Sequence, residues 1–335
     1  MNLALATSAS AGHKLPVNIG FLGASHSHAA GKLSVLKNSP DYRIVGAWEP
    51  DPKMQQPLRD AGIQQLPRKE LLEHPEIQVI AVETPVHDHA RDGLEVLRAG
   101  KHLHLEKAPS DKMAPFQQLV SLAREKRLLL QVGYMWRYNP GIVKALEAAR
   151  EGWLGSIYMI RGSICNQLAA NRRADWAEFV GGMMFEQGGH LIDPVVRLMG
   201  RPSRITPILR RDGPHDDTLK DNTVAVMEWG RAMGVIHAST LQPNSSRYRT
   251  LEIFGTNGCA VANPIESPSE LTIDLAAASG PYAKGVQKVQ LHKYSRYVDD
   301  FVELASAVRG ESKLSVTYDE DLMVQEALLR CCGMF

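Results

Sequence analysis

Residues 17–28 read VNIGFLGASHSH, an apolar run that ends at Gly23 and leads into a helical pattern. A strand, a tight glycine turn and the start of a helix are typical of a dinucleotide-binding unit, in which backbone amides face a pyrophosphate. The complete fingerprint has glycine at positions 23, 25 and 28, whereas this chain has Gly23, Ser25 and His28. Ser25 is small enough to admit a phosphate, and His28 indicates a looser contact between helix and strand. The stretch alone also fits an ordinary glycine turn.

Strands and helices alternate from residue 17 to residue 132. Short apolar runs at 17–22, 43–48, 78–82, 102–105 and 128–132 are separated by helical patterns. This alternation predicts βαβ units and a parallel sheet, in which ligands bind beyond the carboxyl ends of the strands. Gly23, Glu49, Thr84 and Lys107 each lie just past the end of a predicted strand.

Beyond residue 137 the pattern changes. Asn139 and Pro140 predict the start of a helix, and residues 156–164, 223–227, 234–239 and 250–254 read as strands without regular helices between them. Further helices are predicted at 186–199, 299–309 and 320–331. We therefore predict an α/β protein with a flexible tail at 1–15, a Rossmann dinucleotide-binding domain at 16–137, and an α+β domain at 138–335. The second domain should contain an open, mostly antiparallel sheet.

Composition argues against several classes of protein. The 335 residues carry 38 basic and 37 acidic side chains without a basic run, so we expect neither nucleic acid nor a membrane surface as partner. No apolar stretch approaches the roughly 18 residues that suggest a transmembrane helix. The four cysteines form no C-x-x-C pair and the N-terminus lacks a basic signal region. We therefore expect a reducing compartment, the cytoplasm.

Glu49 is the candidate for nucleotide discrimination. It follows the second strand, where an acidic side chain can bind the ribose hydroxyls and repel a 2′-phosphate. This favours NAD as cofactor over NADP, which stays possible. The alternative is a solvated carboxylate in the Glu49-Pro50-Asp51 turn.

Two segments carry candidate catalytic groups. Lys107 follows a buried strand at the ligand end of the sheet, although it could also be a lysine that extends to solvent. Glu186, His190, Asp193 and Arg197 share one face of a predicted helix, and a histidine beside a carboxylate suits proton transfer near neutral pH. The same face could be a structural polar network or a metal site, but without a second histidine or cysteine at ligand spacing we predict no metal.

With these motifs the chain resembles the Gfo/Idh/MocA family. The family is named after glucose–fructose oxidoreductase, inositol dehydrogenase and a rhizopine-catabolism protein. The resemblance runs from about Val17 to the C-terminus, and its specificity comes from the order and spacing of short motifs. They lie at 19–23, 84–85 with His89, 99–102, 106–107, 132–134, 137–140, 152–155, 181–193 and 254–258.

The resemblance implies a bound NAD(H) or NADP(H) and a homodimer or homotetramer formed through the second domain, which also binds substrate. It implies Lys107, Glu186 and His190 as catalytic residues. The cofactor would contact Gly23, Ala24, Ser25, His26, Glu49, Thr84, Pro85, His89, Glu106 and Lys107. Four positions depart from the family pattern: Ala108 displaces the proline of the Glu-Lys-Pro motif, Val86 replaces an asparagine, Glu83 adds an acid, and Glu186 replaces an aspartate.

The implied activity is hydride transfer between the nicotinamide and a secondary alcohol of a sugar or polyol. His190 would take the hydroxyl proton, Lys107 would stabilise the oxygen, and Glu186 would orient His190 or bind a neighbouring hydroxyl. Tyr134, Arg137, Asn166, Arg172, Trp176 and Asp193 are substrate-pocket candidates, although Arg137 could join the domains and Asp193 could be structural. The alternatives are a redox-assisted glycoside-cleaving enzyme with tightly bound NAD and a non-catalytic nucleotide sensor.

Overall fold

The computed structural model describes residues 14–266 and 268–335. Most of the predicted tail, residues 1–13, lies outside the described residues. Two sheets organise the rest, a five-stranded parallel sheet in the N-terminal part and an eight-stranded, mostly antiparallel sheet in the C-terminal part. The predicted fold class is confirmed.

The parallel sheet has the strand order β2-β1-β3-β4-β5. All of its strands except the partly exposed edge strand β2 are almost entirely buried, which is why they read as apolar runs. The strands are β1 (Val17–Leu22), β2 (Tyr42–Trp48), β3 (Val79–Val82), β4 (His102–Leu105) and β5 (Leu130–Val132). The helices are α1 (Ala29–Lys37), α2 (Pro52–Asp60), α3 (Arg68–Glu73), α4 (His89–Arg98) and α5 (Met113–Lys126).

The chain leaves this sheet through a 3-10 turn at Met135–Tyr138 and enters α6 (Pro140–Arg150). The Asn139 side chain accepts a hydrogen bond from the Ile142 amide at 3.1 Å. Proline at the first helical position has no amide hydrogen to satisfy. The helix start predicted from Asn139-Pro140 is confirmed.

The second sheet has the order β13-β12-β11-β10-β6-β9-β8-β7, and only the β6–β9 pair is parallel. The sequence analysis found four of its strands and missed four. The strands it missed are β7 (Arg204–Arg210), β11 (Gly258–Ala262), β12 (Leu271–Leu275) and β13 (Gly285–Lys288). The strands it found are β6 (Ile157–Cys165), β8 (Asn222–Trp229), β9 (Ala232–Ser239) and β10 (Thr250–Gly255).

The remaining helices are α7 (Ala174–Ala177), α8 (Gly189–Met199), α9 (Val298–Val308) and α10 (Tyr318–Cys331). The helix predicted at 186–199 is only partly correct, because residues 184–188 form a wide π-helical turn before α8. Gly182 precedes this turn with φ +47°, and a Cβ there would lie 2.5 Å from the Lys220 carbonyl oxygen. Within the described residues, no helix has the length and apolarity needed to cross a bilayer.

The last two helices pack back onto the parallel-sheet domain. The Tyr42 hydroxyl donates to the Phe301 carbonyl at 2.8 Å, and Gln325 donates to the Ser110 carbonyl at 2.6 Å. A buried ion cluster also crosses between the parts, with Arg137 bound to Asp193 of α8 and Asp321 of α10. These contacts place the π turn and α8 opposite the carboxyl ends of the parallel strands.

Candidate functional site

The glycine turn after β1 brings two loops into direct contact. Gly23 has φ +86°, and its amide donates to the Trp48 carbonyl at 2.7 Å. A Cβ at this position would lie 2.6 Å from the Thr84 side chain. Glycine is therefore required both for the backbone conformation and for the close approach of the loop after β3.

A cavity of about 310 Å³ opens beside this turn. It lies between the β1–α1 loop, the loop after β3 and the segment around α7. Its lining residues are Ser25, His26, Ser27, Pro85, Val86, His87, Arg172, Asp175, Trp176, Glu178 and Phe179. In the same region Thr84 Oγ1 and His26 Nε2 are buried without a hydrogen-bond partner. A cleft at the carboxyl ends of parallel strands, with unpartnered polar atoms in it, fits a bound dinucleotide.

Glu49 is buried, with 4% of its surface exposed. One carboxylate oxygen accepts the Ala24 amide at 2.6 Å and the other accepts the Asp51 amide at 2.9 Å. The structure therefore does not place Glu49 as a solvated turn carboxylate. Its negative charge lies beside the glycine turn, which is where a nucleotide ribose binds in this type of fold.

Lys107 lies at the boundary between the two domains and is almost fully buried. Its ammonium donates to Glu186 Oε2 at 2.6 Å and to the Glu186 carbonyl at 2.8 Å, and it lies 5.6 Å from the centre of the Trp176 ring. The Lys107–Ala108 peptide is cis. Burial raises the pKa of Glu186, and the nearby Lys107 opposes that shift.

His190 is in the first turn of α8 and faces an aromatic wall. Its ring centre lies 5.4 Å from that of Trp136, 6.2 Å from Tyr134 and 6.0 Å from His28. Its Nδ1 is buried and has no hydrogen-bond partner. Burial lowers the pKa of His190 well below its ordinary value, and the nearby Lys107 ammonium lowers it further. The imidazole is therefore neutral at physiological pH and able to accept a proton.

A buried cluster of charged side chains lies next to Lys107 and His190. The Lys32 ammonium, fully inside the protein, binds Glu83 at 2.5 Å and also binds Glu106. The second oxygen of Glu106 is 2.9 Å from His28 Nδ1. Burial raises the pKa of Glu83, whereas Lys32 and His28 outweigh the effect of burial on Glu106 and hold its pKa well below the ordinary value. The cluster fixes Glu106 as an anion next to the catalytic candidates.

His89 ties two of the proposed cofactor loops together. Its Nδ1 is 2.8 Å from the Ala108 carbonyl and its Nε2 is 2.9 Å from the Thr84 carbonyl. The side chain is fully buried, and burial lowers its pKa. Because both ring nitrogens contact the protein backbone, His89 orients the loops after β3 and β4.

The substrate-pocket candidates occupy different environments. Arg172 and Trp176 line the cavity, and Arg172 is paired with Asp175 at 2.7 Å. Arg137 and Asp193 are instead buried in their shared ion cluster, with the Arg137 guanidinium 5.0 Å from the Tyr134 ring centre. This placement favours the domain-joining and structural roles that the sequence also allowed for these two residues.

Tyr134 and Asn166 each have a buried side-chain oxygen without a partner. Tyr134 lies beside His190, so it borders the region of the candidate catalytic residues. Asn166 follows β6, and its backbone amide donates to the Ser239 carbonyl at 2.9 Å. The cavity beside the glycine turn does not include Asn166 among its lining residues.

Sequence analysis did not identify Lys32, Trp136 or His28 as parts of the site. Lys32 occurs on the first crossover helix, where a polar residue ordinarily marks the solvent face. Glu83 could have indicated the buried lysine, because this acidic residue comes directly after the buried strand β3. A buried acidic side chain there requires a positively charged partner. His28 could also have been singled out as a site residue, because it occupies the position where the dinucleotide fingerprint has glycine.

Comparisons with known proteins identify the family of each half of the chain. Residues 17–134 match the family model described as "Oxidoreductase family, NAD-binding Rossmann fold", and residues 142–261 match the "GFO/IDH/MocA C-terminal domain". Together the two matches cover well over half of the chain.

Two curated relatives and one solved structure illustrate the similarity. The trans-1,2-dihydrobenzene-1,2-diol dehydrogenase of Bos taurus is 25% identical over 210 residues, 61% of this chain and 61% of that enzyme. The scyllo-inositol 2-dehydrogenase (NADP(+)) IolW of Bacillus subtilis is 25% identical over 253 residues, 74% of this chain and 66% of that enzyme. The chain thus spans slightly less than two thirds of these relatives' lengths.

The structure of GenD2 from gentamicin A biosynthesis, in complex with NAD, superposes with a TM-score of 0.78 at 20% identity. The superposition covers 99% of this chain and 97% of GenD2. At this level of identity the likeness establishes a shared fold.

Proposed function

Because the chain belongs to the Gfo/Idh/MocA oxidoreductase family and has its NAD-binding Rossmann domain, we propose that it transfers hydride between NAD and a secondary alcohol of a sugar or polyol. The observation that carries this proposal is the contact between the domains. Lys107, at the ligand end of the parallel sheet, binds Glu186, which is four residues before His190. An ammonium, a carboxylate and a neutral imidazole therefore border one buried region.

Residues of the Rossmann domain would hold the cofactor. The turn at Gly23 with Ala24, Ser25 and His26 would receive the pyrophosphate at the start of α1. Glu49 would accept the ribose hydroxyls and repel a 2′-phosphate, which favours NAD over NADP. Thr84, Pro85 and Glu106 would adjoin the nicotinamide end, with His89 fixing their loops. When bound, NAD supplies the acceptor for the hydride.

The chain's own residues perform the proton chemistry. Lys107 donates a hydrogen bond to the alcohol oxygen and stabilises the negative charge that develops on it. His190 accepts the hydroxyl proton, for which it must be neutral, and its lowered pKa keeps it so. Glu186 positions Lys107 before substrate binds and then orients a neighbouring hydroxyl.

The proposed function is tested with purified protein, a panel of sugars and polyols, and reduced-cofactor absorbance. For the substrate found, Lys107→Met and His190→Gln should each lower kcat by about 100-fold or more while NAD binding, followed by fluorescence, persists. Lys101→Met is the matched control, because Lys101 precedes β4 at the opposite end from Lys107. Unchanged turnover in both site variants would refute the assignment. Bond cleavage without net NADH formation would instead identify the glycoside-cleaving alternative.

We also propose that the open face of the second sheet forms a homodimer interface. Alternation places one side of each central strand toward the helices and leaves the other uncovered. The uncovered side carries apolar residues in register across four strands, namely Met159, Ile208, Val224, Val226, Met233 and Val235. An apolar patch of this kind on a sheet is typical of a protein–protein interface.

A further inference from the structure

We propose that His28, held by Glu106, receives the proton that His190 takes from substrate and passes it to solvent. This inference rests on the proposed function, because it concerns the same reaction. It assigns a role to the histidine that replaces the third glycine of the dinucleotide fingerprint. His28 acts through His190 and does not itself contact the reacting atoms.

The Glu106–His28 contact fixes the hydrogen positions on the His28 ring. Glu106 is fully buried, and its second oxygen is bound by Lys32, so the carboxylate is an anion that can only accept hydrogen bonds. His28 Nδ1, at 2.9 Å from the other oxygen, must therefore carry the hydrogen. In the neutral ring Nε2 is then left with its lone pair and is available as a proton acceptor.

His190 needs a proton acceptor beyond substrate. Its Nδ1 has no hydrogen-bond partner, and the aromatic rings of Tyr134 and Trp136 adjoin it. The His28 ring is centred 6.0 Å from the His190 ring at an interplanar angle of 41°. This separation is too long for a direct hydrogen bond between the two rings and suits a single bridging water. The His28 side chain is 13% exposed, whereas that of Glu106 is fully buried, so His28 is the member of the pair that reaches solvent.

The charges around His28 favour proton transfer over metal binding. His26, His28 and Glu106 offer three possible ligand atoms within 4.8 Å of one another. The Lys32 ammonium, however, already binds Glu106, and Lys107 adds positive charge near His26. A divalent cation bound there would be repelled by both ammonium groups. The groups that adjoin His28 are His26, Glu106, Glu186, His190 and Tyr297. Two ammonium groups lie one contact further away, Lys32 on Glu106 and Lys107 on Glu186.

The proton balance of the relay is complete. In the oxidative direction, the hydrogen on carbon leaves with its electron pair to the nicotinamide of the proposed function, and the hydroxyl proton moves to His190. His190 then gives its proton to His28 Nε2, and Glu106 stabilises the resulting imidazolium. Loss of that proton to water returns both histidines to their neutral forms.

The first test needs no substrate. Histidine ring nitrogens labelled with ¹⁵N report the tautomer of His28 in the full-length protein, with His28→Gly used to assign its signals. We expect protonated Nδ1 and unprotonated Nε2, and we expect Glu106→Gln to abolish this preference. A neutral His28 with its hydrogen on Nε2, or an Nδ1 that binds added Zn²⁺ in the NAD-bound protein, would overturn the proposal.

The second test uses stopped flow to compare NADH formation with proton release to an indicator dye. His28→Gly restores the fingerprint glycine, so NAD affinity should be retained. Proton release should lag behind NADH formation in the first turnover, and kcat should fall at least tenfold. Added imidazole should remove the lag in proton release and restore kcat, because it fits the space left by the His28 ring. His74→Gly, which removes a histidine before β3 at the opposite end of the sheet, should behave like wild type.

The outcomes separate this proposal from the proposed function. Turnover that is lost in Lys107→Met but unchanged in His28→Gly would overturn the relay alone. Absence of turnover with every alcohol would count against the proposed function, and the tautomer measurement would still decide the state of His28. A loss of kcat that imidazole does not restore, without a lag in proton release, would show a structural role and overturn the relay.

Discussion

At the scale of single residues, two buried carboxyl groups explain why the Lys32 ammonium of the first crossover helix lies inside the protein. Lys32 is fully buried between Glu83 and Glu106, and each carboxylate alone would be an unpaired buried charge. Removing one member of such a cluster generally costs about 3–5 kcal/mol, because the remaining charges are left without partners. The arrangement therefore keeps Glu106 ionised and fixed in position. The proposed proton transfer between His190 and His28 requires both.

Asp300 provides a pH test at the same scale. Burial raises its pKa from 3.8 to about 7, and its Oδ2 has no hydrogen-bond partner. The folded protein thus binds a proton between about pH 4 and pH 7 that the unfolded chain has lost, so this residue makes stability fall as pH rises through that window.

We expect Asp300→Asn to remove this dependence. The variant should match wild type near pH 4 and exceed it well above pH 7 by on the order of 4 kcal/mol in the free energy of unfolding. Urea titrations at several pH values measure the difference. Asp299→Asn, which changes a less buried neighbour, is the control. Parallel pH profiles for wild type and Asp300→Asn would contradict this explanation.

At the scale of elements, the π turn at residues 184–188 positions Glu186 relative to His190. The glycines on both sides of the turn permit it, because Gly182 has a left-handed backbone and approaches Lys220. Gly189 also lies close to Tyr134, since a Cβ added to Gly189 would lie 3.1 Å from the tyrosine ring. The turn is thus determined by contacts with distant segments of the chain.

Gly182→Ala tests the dependence of the site on this turn. The added methyl group would lie 2.5 Å from the Lys220 carbonyl, and φ +47° disfavours residues other than glycine. We expect a loss of about 1–3 kcal/mol in stability together with reduced turnover, because Glu186 is displaced from Lys107. Gly230→Ala is the control, because nothing lies within 4 Å of its added carbon. Equal Tm values for the two variants would contradict the prediction.

The parallel sheet could be predicted from sequence because most of its strands are buried on both faces and appear as apolar runs. The edge strands β7 and β13 could not, since β7 contains Pro207 and charged ends, and β13 alternates partly exposed with exposed residues. The π turn was read as ordinary helix because its cause lies in contacts with Lys220 and Tyr134. The Lys32 cluster was missed for the same reason, since its members are brought together only by folding.

At the scale of the whole molecule, the proposals rest on two features: the contact between the domains and the open sheet face. The Lys107–Glu186 pair and the Arg137 cluster join the domains, so the proposed active site combines residues from both. The uncovered apolar side of the second sheet is separate from this boundary. Its proposed role is assembly.

The homodimer proposal is tested by adding charge to the middle of that face. Met233→Lys should shift the protein from dimer to monomer in light scattering, because Met233 is 53% exposed and pairs with Met159 in register. Val143→Lys is the control, since Val143 is also exposed but lies on helix α6 and not on the uncovered side of the sheet. A wild type that is monomeric, or a Met233→Lys dimer of unchanged affinity, would contradict the proposal.

The most direct test of the central claim follows the hydrogen itself. The alcohol found in the substrate panel is deuterated at its carbinol carbon and incubated with the protein and NAD⁺, and the reduced cofactor is analysed by mass spectrometry. We expect one deuterium in the nicotinamide ring with wild type, and label transfer slowed about 100-fold or more in Lys107→Met. Reduced cofactor without deuterium, or transfer at the wild-type rate in Lys107→Met, would contradict hydride transfer at this site.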